Sequence, residues 1–327
     1  MPSSTLTPKP PAGSTALRPG WLQLPAPVRS LIERRLGGRV TAGPSAGDGF
    51  TPGFAAVLHG PKGPQFVKAA NGASDPVIAD CYRREALINR ALPAAVPAPR
   101  LRWLEEDDGW VVLGLDAVAG ARTPADPWRP AELAAVLDTC TAIARELERP
   151  TGALLDVGLR PVAEESTDAW RDLASGGGDW ADRLPGWFPR GLVDPLAELE
   201  SGWAAATAGH SVLHWDLRRD NVLFDGRGKA WVCDWNWPCL GASWLDLTVL
   251  LAAAHADGHD ASRLFADHPT ARGVAPEQLD TALAALAGLF LRSGTQPPKP
   301  DSPELRGHQT WCGEVVLNWL SERRGWA

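Results

Sequence analysis

The chain has 327 residues, a length that favours two lobes or domains over one small hydrophobic core. Its formal net charge of −7 argues against a nucleic-acid partner, because nucleic acids are bound by basic surfaces. Its five cysteines lack zinc or disulfide spacing, its N-terminus has no apolar leader, and no apolar run is long enough for a membrane span; together these predict a soluble, cytoplasmic protein with reduced thiols.

The first third of the chain predicts a small β-rich lobe. Residues 1–20 are mostly Ser, Thr, Pro and Gly, and we expect them to form a disordered tail. A short helix follows within residues 25–38, and short apolar runs broken by glycine then predict strands. These strands lie at residues 39–42, 54–58, 65–70, 101–105 and 110–115, with helical spacing over residues 79–92. We assign residues 21–118 to this N-lobe, with a mostly antiparallel sheet and one helix.

Beyond Gly120 the hydrophobic pattern is helical, which predicts a larger α-rich C-lobe over residues 119–327. The predicted helices lie at residues 130–148, 192–206, 245–255, 277–291 and 304–323. Residues 151–192 are rich in Gly, Asp and Trp without clear periodicity, and we interpret them as an insertion or a long ordered loop with a functional role. The fold class is therefore α+β with two lobes.

The most informative motif lies within the predicted C-lobe, at residues 210–237. Asp216 and Asn221 stand five positions apart after His214, and two short apolar runs joined by a glycine-containing turn then lead to Asp234. This order predicts a loop, a hairpin and a carboxylate at the exit of the second strand. Phosphoryl transfer requires such a set, with one carboxylate for a hydroxyl proton and an amide oxygen and a second carboxylate for Mg²⁺.

The spacing H-x-D-x-x-x-x-N, followed by a strand-borne aspartate, resembles the catalytic loop and metal site of kinases. The chain lacks D-F-G and A-P-E motifs, and a segment Gly-Ala-Ser-Trp-Leu-Asp-Leu follows at residues 241–247. In these features it is similar to the aminoglycoside phosphotransferase/choline kinase-like family, over roughly residues 40–255 and most specifically in the second half of that span. The resemblance implies a two-lobed protein-kinase-like fold and a small-molecule O-phosphotransferase that uses Mg²⁺ and ATP or GTP.

The resemblance also implies roles for three residues of the motif. Asp216 is the general base that accepts the hydroxyl proton, and Asn221 and Asp234 are the Mg²⁺ ligands. The residues alone leave other interpretations open, since Asp216 also suits a turn between strands and Asn221 also suits a left-handed turn position.

Four neighbours of these residues are assigned less directly. Arg218 is a second catalytic candidate, because a guanidinium there can neutralise the transferred phosphoryl group, although Arg219 is an alternative. Asp220 is either a solvated turn charge or a third metal ligand. We expect His214 to fix the loop by hydrogen bonding, and Asp246 to tie the loop to a helix through backbone amides.

Nucleotide-binding candidates come from the N-lobe. Lys68 lies within a short apolar strand and matches the lysine that contacts the α- and β-phosphates, and Glu85 matches the helix glutamate that pairs with it. An exposed edge-strand lysine and a surface ion pair are the structural alternatives. The loop at residues 46–53, which we call the glycine loop, is not G-x-G-x-x-G. The backbone N–H groups of Gly49 to Thr51 and the Thr51 hydroxyl can still reach a phosphate, and a plain flexible loop is the alternative.

The acceptor is left open by the resemblance, which suggests an aminoglycoside-like compound or another hydroxylated amine or sugar. Acidic residues of the C-terminal half mildly favour a cationic acceptor; they are Asp257, Asp260, Asp267, Asp280 and Glu314. The alternative function is a catalytically silent, pseudokinase-like nucleotide-binding module, which the irregular glycine loop favours. A protein kinase is disfavoured because the activation-segment motifs are missing.

Overall fold

The computed structural model describes residues 6–10, 15–47, 49–165, 167–178, 180–184 and 186–326. Five antiparallel strands form one sheet in the order β1-β2-β3-β5-β4. These strands are β1 (Thr41–Ser45), β2 (Phe54–Gly60), β3 (Gly63–Asn71), β4 (Leu101–Asp107) and β5 (Trp110–Asp116). The turn between β4 and β5 consists of Asp108 and Gly109, both with positive φ (45° and 78°), which is the backbone twist that a two-residue hairpin prefers.

Two helices cover the two faces of this sheet. The helix α1 (Ala26–Leu36) packs on the face that contains Val112, whereas α2 (Pro76–Ala91) packs on the face that contains Val111 and Leu113. Successive residues of a strand point to opposite faces. In β3, Val67 and Ala69 contact the α1 side, so Lys68 between them points toward α2.

The C-lobe consists of helices and short strand pairs. The helices are α3 (Pro130–Glu146), α4 (Ala153–Asp156), α5 (Ala169–Ala174), α6 (Val193–Ser201), α7 (Trp203–Thr207), α8 (Leu245–Ala256), α9 (Ala261–Asp267), α10 (Pro276–Gly294) and α11 (Leu305–Arg324). The short strands are β6 (Ser211–Leu213), β7 (Val222–Phe224), β8 (Ala230–Val232) and β9 (Cys239–Gly241). β7 pairs with β8, and β6 pairs with β9, so the segment between β6 and β7 is a loop held at both ends.

The predicted two-lobed α+β fold is confirmed, and the structure corrects its details. The helix predicted at residues 192–206 is two helices, α6 and α7, separated at Gly202, and glycine is a poor helix former. Residues 151–192 contain α4, α5 and short 3₁₀ turns. Three of their aromatic rings pack together, with Trp170 centred 5.4 Å from Trp180 and 5.6 Å from Phe188. The functional role of this segment stays a prediction.

The predicted disordered tail covers residues 1–20, of which 1–5 and 11–14 lie outside the described residues. In the described parts, the Thr7 backbone N–H donates to Glu314 (2.6 Å) and the Leu17 N–H donates to the Asp301 carbonyl (2.9 Å). The lobe boundaries at residues 118 and 119 stay predictions. Among the helices in the described part of the chain, none is both long and apolar enough to cross a membrane.

Candidate active site

The loop between β6 and β7 is anchored by one buried carboxylate. The backbone N–H groups of His214 and Trp215 donate to the two oxygens of Asp246, each at 2.9 Å, and Asp246 lies in the first turn of α8. Trp215 has φ 62°, a left-handed conformation that these bonds hold in place. The His214 ring contacts the Cys233 carbonyl at 2.8 Å, which ties the loop to the end of β8. The structural roles predicted for His214 and Asp246 agree with these contacts.

Replacement of Asp246 by alanine leaves two backbone donors without their acceptor. We expect Asp246→Ala to lower the free energy of unfolding by about 1–3 kcal/mol, because each buried donor loses its partner. Asp246→Asn is the matched control, since it keeps one acceptor oxygen and is expected to lose less. Urea denaturation of both variants measures the difference, and equal stability of wild type and Asp246→Ala would contradict the anchor.

The loop places Asp216 between a guanidinium and an amide. Arg218 Nε lies 3.0 Å from Asp216 Oδ1, and Asn221 Nδ2 donates to Asp216 Oδ2 at 3.1 Å and to the Asp216 carbonyl at 2.7 Å. Burial raises the pKa of Asp216, and the Arg218 charge opposes that rise. The carboxylate is therefore held in one orientation, and its pKa lies above the ordinary aspartate value.

Lys68 and its carboxylate partners join the two lobes. Lys68 Nζ donates to both Glu85 oxygens, at 2.8 and 2.9 Å, and to Asp234 Oδ1. Burial lowers the pKa of Lys68, but Asp234 and Glu85 outweigh it and the net shift is upward, so the ammonium stays charged. Burial also raises the pKa of Glu85, against the opposing Lys68 charge.

The structural alternatives for this pair are wrong. β3 lies between β2 and β5, so Lys68 is not on an edge strand, and only 4% of its surface is exposed. Glu85 is 2% exposed and belongs to the buried face of α2 rather than to a surface ion pair. Burial of a charged side chain is costly unless an opposite charge pairs with it, which explains why Lys68 and Glu85 are in contact.

Asn221 and Asp234 are brought close by the β7–β8 hairpin. The N–H of Cys233 donates to the Asn221 carbonyl at 3.0 Å, so the chain positions of the two predicted ligands are adjacent in space. The Asn221 Nδ2 is directed at Asp216, which leaves its carboxamide oxygen as the remaining acceptor. The described residues contain no cluster of three or more His, Cys, Asp or Glu suited to a metal. A carboxylate and an amide oxygen do fit Mg²⁺, which binds few protein ligands and takes the rest from phosphates and water.

These residues surround a cavity of about 200 Å³ between the sheet and the catalytic loop, which we call the inter-lobe cavity. The predicted site residues that line it are Gly49, Thr51, Lys68, Glu85, Asn221 and Asp234. Its apolar wall consists of Ala55, Val57, Phe66, Leu115, Val118 and Leu223. The lining of this cavity therefore combines apolar and charged side chains.

The glycine loop closes over this cavity. Gly49 has φ 88°, and its carbonyl accepts from the Thr15 hydroxyl (2.6 Å) and from Arg18 Nη2 (3.3 Å). The left-handed backbone at Gly49 explains the glycine, because other residues rarely adopt it. Asp48, which precedes it, lies outside the described residues.

Sequence reasoning missed the role of Phe50. Its ring lies under the Arg218 guanidinium (5.3 Å) and 4.6 Å from the His308 ring, and its carbonyl accepts from the Ser302 hydroxyl at 2.5 Å. An aromatic residue after a loop glycine was the available signal. Through Phe50 the glycine loop contacts the catalytic loop and α11.

The structure also separates the two adjacent arginines. Arg219 is held by Asp126 and Asp257, whereas Arg218 contacts Asp216 and, at 3.0 Å, Asp220. Arg219 is therefore not an alternative to Arg218 beside the carboxylate. Asp220 is not a solvated turn charge, because it is the second partner of Arg218.

A second cavity, of about 240 Å³, is lined by Arg218 and is called here the helical cavity. Its wall is mainly apolar and comes from α8, α10, α11 and the glycine loop: Phe50, Val249, Ala252, Ala253, Leu286, Phe290, Trp311, Val315 and Val316. Gly49, Thr123 and Asp220 line both cavities, so they adjoin at the catalytic loop.

The acidic residues that favoured a cationic acceptor are engaged elsewhere. Asp257 holds Arg219 and the Trp128 N–H, Asp260 caps α9, and Asp280 pairs with Arg323. The other two, Asp267 and Glu314, pair with Arg263 and with Thr7 respectively. None of the five is among the described residues that line the helical cavity.

No protein-family model matches the chain. Homoserine kinase from Methylobacterium sp. strain 4-46 is 30% identical over 159 residues, which are 47% of this chain and 49% of that protein. Homoserine kinase from Methylobacterium nodulans is 31% identical over 160 residues, with the same coverage of 47% and 49%. The chain thus spans about half the length of the curated relatives it matches.

Solved structures match over nearly the whole chain. Choline kinase LicA from Streptococcus pneumoniae has a TM-score of 0.56 at 10% identity and covers 91% of this chain and 100% of its own. The GDP complex of aminoglycoside 2′-phosphotransferase-IIIa has a TM-score of 0.60 at 13% identity, with 92% and 99% covered. A spectinomycin phosphotransferase with ADP and spectinomycin has a TM-score of 0.52 at 11% identity, with 90% and 98% covered. The chain therefore has the protein-kinase-like fold that choline kinase and the aminoglycoside phosphotransferases share.

Proposed function

We propose that the chain is an O-phosphotransferase that moves the γ-phosphate of ATP or GTP to a hydroxyl of a small molecule. The observation that carries the proposal is the convergence of Lys68, Asn221 and Asp234 on one cavity, with Asp216 on the same loop as Asn221. Support also comes from the homoserine kinases that match in sequence and from the nucleotides in the matching structures.

The inter-lobe cavity suits a nucleoside triphosphate. Its apolar side chains, such as Val57, Phe66 and Leu223, offer a surface for a base, and Lys68 offers a charge to the phosphates. Asn221 and Asp234 would hold Mg²⁺, which supplies positive charge for the phosphate oxygens when it is bound. In this arrangement the γ-phosphate would lie beside the catalytic loop.

The chemical step follows from the position of Asp216. Its carboxylate takes the proton of the acceptor hydroxyl as that oxygen forms a bond to the γ-phosphorus. The bond between the γ-phosphorus and the bridging oxygen breaks, and its electron pair stays on the nucleoside diphosphate. Arg218, in contact with Asp216 and covered by Phe50, is placed to stabilise negative charge on the transferred group.

The rival function is a silent nucleotide-binding module, and one experiment distinguishes it from a phosphotransferase. The protein is incubated with ATP or GTP, Mg²⁺ and a panel of hydroxylated amines, sugars, amino acids and neutral alcohols, and products are identified by mass spectrometry. We expect nucleoside diphosphate and one phosphorylated acceptor in equal amounts. Nucleotide binding without transfer to any acceptor would favour the silent module.

The activity should depend on pH through Asp216. Because burial raises the pKa of this carboxyl, the acid limb of kcat/KM should have its midpoint above the ordinary aspartate value of about 3.9. Arg218 holds that pKa down, so the midpoint should move to higher pH in Arg218→Ala. A pH profile of both proteins tests this, and a midpoint that stays in place or moves to lower pH would contradict it.

A further inference from the structure

The position of the helical cavity suits an acceptor site. The charges and apolar side chains that line it, however, do not suit the binding of an amine. The cavity adjoins the inter-lobe cavity at Asp220 and contains Arg218, which touches Asp216. Asp216 is not among the residues that line this cavity, but it contacts Arg218, which does line it. The identification of this cavity as the acceptor site rests on the proposed function.

Both carboxylates among the described residues of this cavity are already paired. Asp126 is held by Arg219 and by Lys9, whose Nζ lies 2.5 Å from Asp126 Oδ2, and Asp220 is held by Arg218. Even if Lys9 left, Asp126 would still be paired with Arg219, which it shares with Asp257. Arg218 and Arg219 also pair with Asp216 and Asp257, so every carboxylate of this cluster already contacts a cation. An ammonium group entering the cavity therefore meets no carboxylate that lacks a basic partner.

His308, which also lines the helical cavity, adds no charge to it. Burial, with Arg218 and Lys9 in support, lowers the pKa of His308 to about 3, so its ring is neutral at any ordinary pH. Its Nε2 lies 3.4 Å from an Arg218 nitrogen and is suited to accept a hydrogen bond. A neutral polar group of this kind can orient a hydroxyl but does not attract an amine.

The remaining wall is apolar, and its size limits the occupant. Trp311, Phe290 and Val249 come from three different helices and face one space of about 240 Å³. A cavity of about 150 Å³ binds benzene, so this one holds a ring with a short substituent. We infer that the acceptor is a neutral alcohol whose hydroxyl is carried on an apolar body of about that size.

A matched pair of acceptors tests the inference. Phenylalaninol and N-acetylphenylalaninol have the same ring and hydroxyl, but only phenylalaninol carries an ammonium group at neutral pH. We expect kcat/KM for the neutral compound to exceed that for the cation by about 10-fold or more, because the ammonium would be buried without a partner. Binding of both compounds is measured by calorimetry as well, so the preference is read independently of turnover.

A carboxylate introduced into the wall of the helical cavity should reverse the preference for the neutral acceptor. Ala253 lines the cavity and is partly exposed, so Ala253→Asp adds a carboxylate there with little change in packing. We expect this variant to favour phenylalaninol, whereas Ala253→Asn, of nearly the same shape, should keep the wild-type preference for the neutral compound.

The outcomes distinguish the acceptor class from the proposed function. Equal or better binding and turnover of phenylalaninol in the wild type, or kanamycin as a better acceptor than either alcohol, would overturn the acceptor class and leave the phosphotransferase intact. Binding of the neutral compound without phosphate transfer to any acceptor would instead overturn the proposed function. In that case the preference of the cavity would still stand.

Discussion

Asp216→Asn is expected to lower kcat by about 10²–10⁴ while the protein keeps its fold and its nucleotide affinity. The amide has the size of the carboxylate and can still receive a hydrogen bond from Asn221, but it cannot take the hydroxyl proton. The loss therefore belongs to the chemical step. Steady-state kinetics with the best acceptor, together with nucleotide binding by calorimetry, measure the two quantities separately.

Asp220→Asn is the matched control for this variant. Both carboxylates pair with Arg218, at 3.0 Å in each case, so both substitutions remove one charge from the same guanidinium. If Asp216 is the base, Asp220→Asn should lose less than about 10-fold, which is the size of a modest electrostatic effect. Near-wild-type turnover in Asp216→Asn, or equal losses in the two variants, would contradict the assignment.

The sequence predicted the fold because its local signals agree with the tertiary structure. The continuous apolar run of β5 and the Asp108–Gly109 turn are short-range features, and a short apolar run bounded by turn residues predicts a buried strand. A local signal also identified Lys68, because a charged residue inside an apolar strand needs an oppositely charged partner. The pair Lys68–Glu85 was expected from the resemblance to kinases and is in contact in the structure.

Most of the helical cavity could not be predicted in this way. Phe50, Phe290 and Trp311 lie far apart in the chain, and an apolar residue that lines a cavity has the same sequence signal as one that fills a core. The pairing of the acidic residues could not be predicted for a related reason. A count of carboxylates predicts a cationic ligand only if they are unpaired, and pairings such as Arg219 with Asp257 depend on tertiary contacts.

Lys68→Met is expected to reduce kcat/KM for the nucleotide by about 10²–10³, the usual effect of removing one charged contact to a reacting phosphate. It also leaves Glu85 and Asp234 facing each other without the ammonium between them. The buried Glu85 should then take up a proton in the folded state. Its folded pKa lies above the unfolded value, so stability is greatest at low pH and falls as the pH rises through that folded pKa.

The double variant Lys68→Met/Glu85→Gln separates the two consequences. Removal of the Glu85 charge should recover stability and abolish most of its added pH dependence, because the folded state no longer buries an uncompensated carboxylate. It should not recover turnover, since the contact to the phosphates is still missing. Urea denaturation at pH 6 and pH 8 measures the first effect and steady-state kinetics the second. Recovery of turnover in the double variant would show that Lys68 acts only by neutralising Glu85, and the nucleotide role assigned to it would be wrong.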